Sequence, residues 1–264
     1  MAIVPEESAS LRQFGQSANM AFALHTSYQL LSWNIFKSKK PSWQQAFSHL
    51  HQQYDLLLLQ EAKIHFQEPI NHYDQDYHWA FGESFAIDSC GSSCGVLTGS
   101  RIQSESAFNR HGPVAEPFLN TPKSSVFAYY PIAEHHLSLL VVNSHFINFR
   151  QTRAFVAQLK QVLDEIALHN GPVIFAGDFN TWHPARVKEL SHSVAQLDLE
   201  QVHFENESRK FLRLDHIFIR GIDLLEAQIL HHIPGSDHLP FHLKFQLFKP
   251  KPGHPSSIQN KSQT

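Results

Sequence analysis

The chain has 264 residues, 42% of them hydrophobic and 17% charged, with a net charge of −3. That is the composition of a soluble globular chain long enough for one large domain, and it excludes a broadly basic surface, so any contact with nucleic acid has to come from a local patch. No apolar run is long enough to span a membrane, and the N-terminus, Met1 to Ser8, lacks the regions of a signal peptide, so the expected compartment is the cytoplasm. Cys90 and Cys94 are too few for a disulfide framework and lack the second pair a zinc site needs; they are read as thiols in a loop.

Residues 1–27 show no sustained periodicity and are expected to form a loosely ordered N-terminal arm or peripheral segment. Tyr28 to Trp33 reads as a strand ending at Asn34, and Pro41 to Tyr54 as a helix with Trp43, Phe47 and Leu50 on one face. Asp55 to Glu61 is a second strand, whose apolar run stops at Gln60 and Glu61. Taken singly, Glu61 also reads as a helix-capping acid and Asn34 as a turn residue. Tyr77 to Phe85 is an aromatic strand, followed by a Gly/Ser/Cys loop and the segment Gly95 to Arg101. Strands are predicted at 104–108 and 125–130, with an exposed connection from Pro113 to Pro122 between them. Lys123, at the end of that connection, reads either as a solvated lysine or as a phosphate contact.

Leu137 to Val142 is strongly strand-like and runs into Asn143-Ser-His145, so His145 again ends an apolar strand. Residues 152–168 carry Phe155, Leu159, Val162, Leu163 and Ile166 at helical spacing and deliver the chain into a strand at 173–177. The result is a strand–helix–strand unit. It ends in Gly177-Asp178-Phe-Asn180, where side-chain alternation turns Asp178 and Asn180 to one side. A carboxylate and an amide held there suit a metal and a phosphate oxygen; a tight turn is the alternative reading. A helix follows between Pro184 and Leu197, and Phe211 to Ile219 reads as a strand with Asp215 inside it, where an ionisable group needs a partner. Leu224–His231 and Leu239–Phe248 are closing strands that flank Ser236-Asp237-His238. The domain therefore spans 28–248, and the Pro-rich polar tail 249–264 is expected to be disordered.

Leu31-Ser-Trp-Asn34, Leu59-Gln-Glu61, Ser144-His145, Gly177-Asp178-Phe-Asn180, Leu214-Asp215-His-Ile-Phe and Ser236-Asp237-His238 are, in this order, similar to the successive motifs of the endonuclease/exonuclease/phosphatase superfamily. In detail, Val142 to Phe149 and Pro122-Lys123-Ser most resemble a little-characterised bacterial branch of it. The resemblance implies a four-layer α/β sandwich, two mixed β-sheets packed face to face with helices outside, and a site at one end. It implies Mg²⁺ or Mn²⁺ as cofactor, with Glu61 binding the metal beside Asn34 and Asp237 supporting the metal or His238. By the same resemblance Asp215 and His238 form a hydrogen-bonded pair, Asp178 orients or activates water, Asn180 holds a phosphate oxygen, and His145 binds phosphate or serves the leaving group. His145 stands where exonuclease III-like members tend to carry tyrosine.

The reading favoured by these residues is a metal-dependent phosphodiester hydrolase acting on nucleic acid. A phospholipid phosphodiesterase or an inositol-phosphate phosphatase is the alternative, and a non-catalytic binding protein is a further one. A nuclease needs a positive groove that the sequence does not display. Lipid action favours an exposed apolar loop, for which Ile87 to Cys94 is a faint candidate.

Overall fold

The computed structural model describes residues 2–65, 76–87, 91–205 and 214–248. The tail from 249, Cys90 and the start of the strand expected at 211 lie outside them. In chain order the strands are β1 (Ala2–Ile3), β2 (Leu11–Phe14), β3 (Ser27–Asn34), β4 (Leu56–His65), β5 (His78–Ile87), β6 (Ser92–Ser100), β7 (Ser106–His111), β8 (Ser124–Tyr130), β9 (Leu139–His145), β10 (Val173–Asp178), β11 (Glu200–Gln201), β12 (Asp215–Arg220), β13 (Asp223–Ile229) and β14 (Phe241–Gln246). The α-helices are α1 (Trp43–Leu50), α2 (Thr152–Ala167) and α3 (Pro184–Ala195).

One sheet has the order β1-β5-β6-β4-β3-β14-β13, with β2 also on β5; the other has the order β11-β12-β10-β9-β8-β7. Both are mixed, because β3–β4 and β9–β10 are parallel pairs in otherwise antiparallel sheets. The layering follows from side-chain alternation along continuous apolar runs. Leu56 and Leu58 join Val141, Ile174 and Ile217 in the cluster between the sheets. Leu57 and Leu59 turn the other way, onto Trp43 and Phe47 of α1. Across the molecule, Val142, Val173 and Phe175 pack on Phe155, Leu159 and Val162 of α2 and on Leu190 of α3. The expected four-layer sandwich is what forms. Truncating a buried Phe such as Phe155 to Ala in a layer of this kind costs about 3–5 kcal/mol.

The N-terminal segment departs from the loose arm expected of it. Ala2–Ile3 and Leu11–Phe14 pair antiparallel with β5. Phe22 is fully buried, with its ring edge-on to Tyr28 and Tyr130. The segment carries too few apolar residues for a periodicity to show, yet it has free backbone groups to extend an open sheet edge. Cys94 is likewise corrected: β6 begins at Ser92, so Cys94 is buried within a strand and not in a loop.

Topology brings the motif residues to one edge. Parallel strands β3, β4, β9 and β10 deliver their C-terminal ends there, and the antiparallel neighbours β12 and β14 start from the same edge. In register, Asp178 sits between His145 on β9 and Asp215 on β12. Gly177 makes this possible: its φ is +146°, and a Cβ there would lie 1.9 Å from the Ser144 carbonyl oxygen.

Candidate active site

A cleft of about 470 Å³ opens at this edge, and Asn34, Glu61, His145, Asp178, Asn180, Asp237 and His238 all line it. Asp215 lies directly behind His238: the imidazole Nδ1 is 2.9 and 3.1 Å from its two carboxylate oxygens. The opposite nitrogen, Nε2, is 3.8 Å from Asp178 Oδ2. Burial works against the charged imidazole, but contact with Asp215, and the charges of Asp178 and Asp237, outweigh it and push His238 up to about 9. Its backbone is fixed too, since Trp33 Nε1 donates to the His238 carbonyl and His238 N–H donates to Ser236 Oγ.

Asp178 is almost fully buried. Asn34 Nδ2 donates to its Oδ2 at 2.9 Å and the Asn180 N–H to its Oδ1 at 3.0 Å. Burial and the Asp215 charge nevertheless raise its pKa from 3.8 to about 6, against the pull of His238 and Asn34. A carboxyl group raised in the fold favours the protonated form, so stability is lost as pH climbs from about 4 through 6, and ionised Asp178 is a cost at neutral pH. Asp178→Asn is therefore expected to stabilise the fold by about 1–3 kcal/mol at pH 7.5. Thermal unfolding of the variant beside wild type checks this, and an unchanged or lower midpoint would show that the carboxylate carries no such cost.

Asn180, at φ +51°, leaves the strand, and its Nδ2 donates to the Phe146 carbonyl. Phe179 turns into the helix-side core, as side-chain alternation predicts. Asp237 is exposed at the cleft margin. Asn34 engages Asp178 through its amide nitrogen, while its Oδ1 accepts the Phe36 N–H.

Glu61 faces the cleft through a break in β4. The β4–β6 register shifts between Leu59 and Ala62, and Glu61 has φ +53°. Such a bulge re-aims a side chain that regular pleating would direct elsewhere, and left-handed backbone at a non-glycine residue marks a conformation held by its surroundings. Gln60, the other half of the polar pair, points between the sheets and donates to Asn143 Oδ1.

Three further residues complete the cleft: Lys37 and Glu116, which the sequence reading did not single out, and Lys123, which it left between two readings. Lys37 comes from a turn in which Phe36, Lys37 and Ser38 are all left-handed, and its Nζ lies 2.6 Å from Glu61 Oε2. Lys123 is not solvated: its side chain is 18% exposed, 3.0 Å from His145 Nε2 and 3.8 Å from Glu116 Oε1. The available signal was register, since Ser125 pairs with Ser144, which sets the residues just before β8 level with His145. Glu116 accepts the N–H groups of Asn148 and Phe149 and so fixes the loop after β9. Burial lowers the Lys123 pKa against the charges of Glu61, Glu116 and Asp178. Burial also lowers His145, helped by the charges of Lys123, Lys37 and His238, so its imidazole is neutral and accepts from Lys123 through Nε2.

Two donor sets suit a divalent cation. Glu61 already holds a cation, the Lys37 ammonium, and Asp237 and Asn34 line the same cleft. Alternatively, single ligand atoms of Asp178, Asp215 and His238 lie within 4.8 Å of one another. The second set is occupied internally, because Asp215 and His238 bind each other. Hard oxygen donors with room for water are what Mg²⁺ and Mn²⁺ require.

The fold and this cleft define a class, and comparison with known proteins agrees: residues 31–238 match the model of the Endonuclease/Exonuclease/phosphatase family, to which the chain belongs. Members of this family are generally hydrolytic phosphoesterases. Among its bacterial relatives is a UPF0294 protein of Vibrio cholerae, 35% identical over 225 residues, covering 83% of this chain and 77% of the relative. The fold is shared by an endonuclease/exonuclease/phosphatase from Beutenbergia cavernae, with a TM-score of 0.65 at 18% identity over 84% of this chain and 72% of that one. It is shared also by the human Nocturnin catalytic domain solved with bound sulfate, with a TM-score of 0.62 at 16% identity over 92% and 99%. At such identities the structural likeness carries the fold alone.

Proposed function

We propose that the protein is a divalent-metal-dependent phosphodiester hydrolase. The observation that carries this reading is the Asp215–His238–Asp178 constellation, a cationic imidazole backed by one carboxylate and facing a second whose pKa lies near neutrality. Asp178 takes the proton of the attacking water as its oxygen bonds to phosphorus, a base whose pKa near the working pH suits the task. His238, protonated, stabilises negative charge on a non-bridging oxygen, and the Asn180 amide, held by Phe146, assists. Lys123 gives a proton to the leaving oxygen as its ester bond breaks; burial makes its ammonium a readier acid, and neutral His145 orients it. Glu61, with Asn34 and Asp237, would hold Mg²⁺ or Mn²⁺, which supplies Lewis-acid stabilisation of the phosphate charge.

Hydrolysis of bis-p-nitrophenyl phosphate beside p-nitrophenyl phosphate, with Mg²⁺, with Mn²⁺ and with chelator, tests the reading. Diester cleavage that requires metal is expected, with kcat/KM rising about tenfold per pH unit below 6 and falling likewise above 9. Absence of metal-dependent turnover of either ester, together with no metal binding by calorimetry, would leave a binding protein on the same fold. Nucleic acid remains the substrate favoured by sequence, but the cleft bears on this differently. Among the described residues its two lysines are each engaged by a carboxylate, Lys37 by Glu61 and Lys123 by Glu116, which supports recognition of a single phosphodiester over a run of phosphates.

A further inference from the structure

Among the described residues the cleft has a charged floor and an exposed apolar wall. The wall is built by the connection before β8 and the loop after β9, and it ends in Phe118, Leu119 and Phe149, which are 82%, 61% and 64% exposed. The rings of Phe118 and Phe149 meet edge to face with centroids 5.8 Å apart. A contiguous apolar cluster in water beside a polar cleft calls for an occupant.

The exposure is held in place by buried charge. Glu116 accepts the N–H groups of Asn148 and Phe149 from below. Arg186, fully buried, donates to the carbonyls of Ile147, Asn148, Arg150 and Asn180. One guanidinium thus ties the apolar loop to the Asn180 end of the site. Both loops are anchored at their bases, and their apolar tips point outward.

Chemistry separates the possible occupants. A polynucleotide track needs cations spaced for successive phosphates and flat faces for bases. Among the described residues the cleft lysines are already paired, Leu119 has no face on which to stack, and the two Phe rings are set edge to face. Cations lie near the wall and across from it: Arg150 and exposed Arg153 line a recess together with Phe149, while exposed Lys39 stands over the ring of Phe36, which lines the cleft, and Lys40 reaches the Ser236 carbonyl beside exposed Asp237. Apolar tips flanked by basic side chains suit the boundary of an anionic bilayer, where the tips enter the acyl region and the cations meet headgroups.

We infer that Phe118, Leu119 and Phe149 form a lipid-surface contact, and that the phosphodiester brought to this site belongs to an amphiphile in an anionic membrane. This rests on the phosphodiesterase reading for its second half only. The wall positions the headgroup: the acyl part stays against the apolar tips, and the phosphate descends to Asp178 and His238. Water attacks that phosphorus, the ester bond to the leaving oxygen breaks, and one phosphate monoester and one alcohol result.

The test is co-sedimentation of the full chain, in chelator, with phosphatidylcholine vesicles containing phosphatidylglycerol. Wild type is expected to partition to the vesicles, and the triple variant Phe118→Ser, Leu119→Ser, Phe149→Ser to lose at least tenfold in partitioning. Leu168→Ser, which alters an exposed residue at the end of α2, is expected to partition as wild type does. Wild type left in the supernatant, or a triple variant that binds as well as wild type, overturns the inference. So does a triple variant that loses affinity for a single-stranded oligonucleotide while vesicle binding stays unchanged. With metal restored, cleavage of bis-p-nitrophenyl phosphate without cleavage of vesicle lipid overturns the substrate assignment. Vesicle binding without cleavage of either diester overturns the phosphodiesterase reading and leaves the surface contact standing.

Discussion

Glu61→Ala is expected to reduce metal-stimulated diester hydrolysis to the rate seen in chelator and to weaken Mn²⁺ binding by about 100-fold or more, while the fold persists. The fold should persist because Glu61 faces the cleft and its ion pair with Lys37 is partly exposed, a class of interaction worth about 0–1 kcal/mol. In the proposed site the metal should be weakened because Glu61 is the one carboxylate β4 brings to the cleft, leaving only Asn34 and exposed Asp237 in that site. Calorimetric titration with Mn²⁺ and thermal unfolding, run on the same preparation, separate the two effects. Retained metal stimulation would move the cation to Asp178, Asp215 and His238, the other donor set in the cleft.

His238→Ala is expected to cost about three orders of magnitude or more in kcat, with a smaller change in KM, because in the proposed mechanism its charge acts on the phosphate as it transforms. Asp215 would keep a buried carboxylate without its imidazole partner, at about 1–3 kcal/mol of stability. Proton linkage adds a signature independent of activity. The folded pKa of about 9 lies above the reference 6.5, so His238 contributes stability fully below pH 6.5 and loses it as pH rises through 9. That contribution is about 3 kcal/mol. Urea unfolding of wild type at pH 6.5 and at pH 9.5 should differ by this order, and the difference should collapse in His238→Ala. A wild-type stability flat across this window would show that Asp215 does not hold the imidazole charged. Full activity in the variant would remove His238 from the site.

Legibility differed between residues for definite reasons. Asn34, His145 and Asp178 end apolar strands, and a run of buried β-branched and leucine residues that stops at a polar one marks a strand end locally. Asp215 proved to be the first residue of its strand and not an interior one, and it is matched by His238 as an ionisable group between apolar neighbours requires. Lys123 and Glu116 sit in a connection with no periodicity. Their burial comes from how that loop folds across the end of β9, which composition does not encode. The apolar wall was missed for a related reason: Phe118 and Leu119 fall within the exposed connection expected from Pro113 to Pro122, where no periodicity marks them, and Ile87 to Cys94, the segment that drew attention, runs partly in β5 and β6.

By itself, the sequence determined the alternation of strands and helices, the continuous apolar runs that put cores on both faces of each sheet, and the ordered set of polar residues at strand ends. Those are local properties, set by side-chain alternation and by where hydrophobic runs stop. Only the tertiary structure decided that Asp178 lies within reach of both His238 and His145, and that a bulge turns Glu61 into the cleft toward Lys37. It also decided that burial and the Asp215 charge raise Asp178, that neighbouring carboxylates raise His238 against its burial, and that an apolar wall stands beside them. Those properties arise between segments far apart in the chain, where distance and desolvation govern the energy and no local pattern records either.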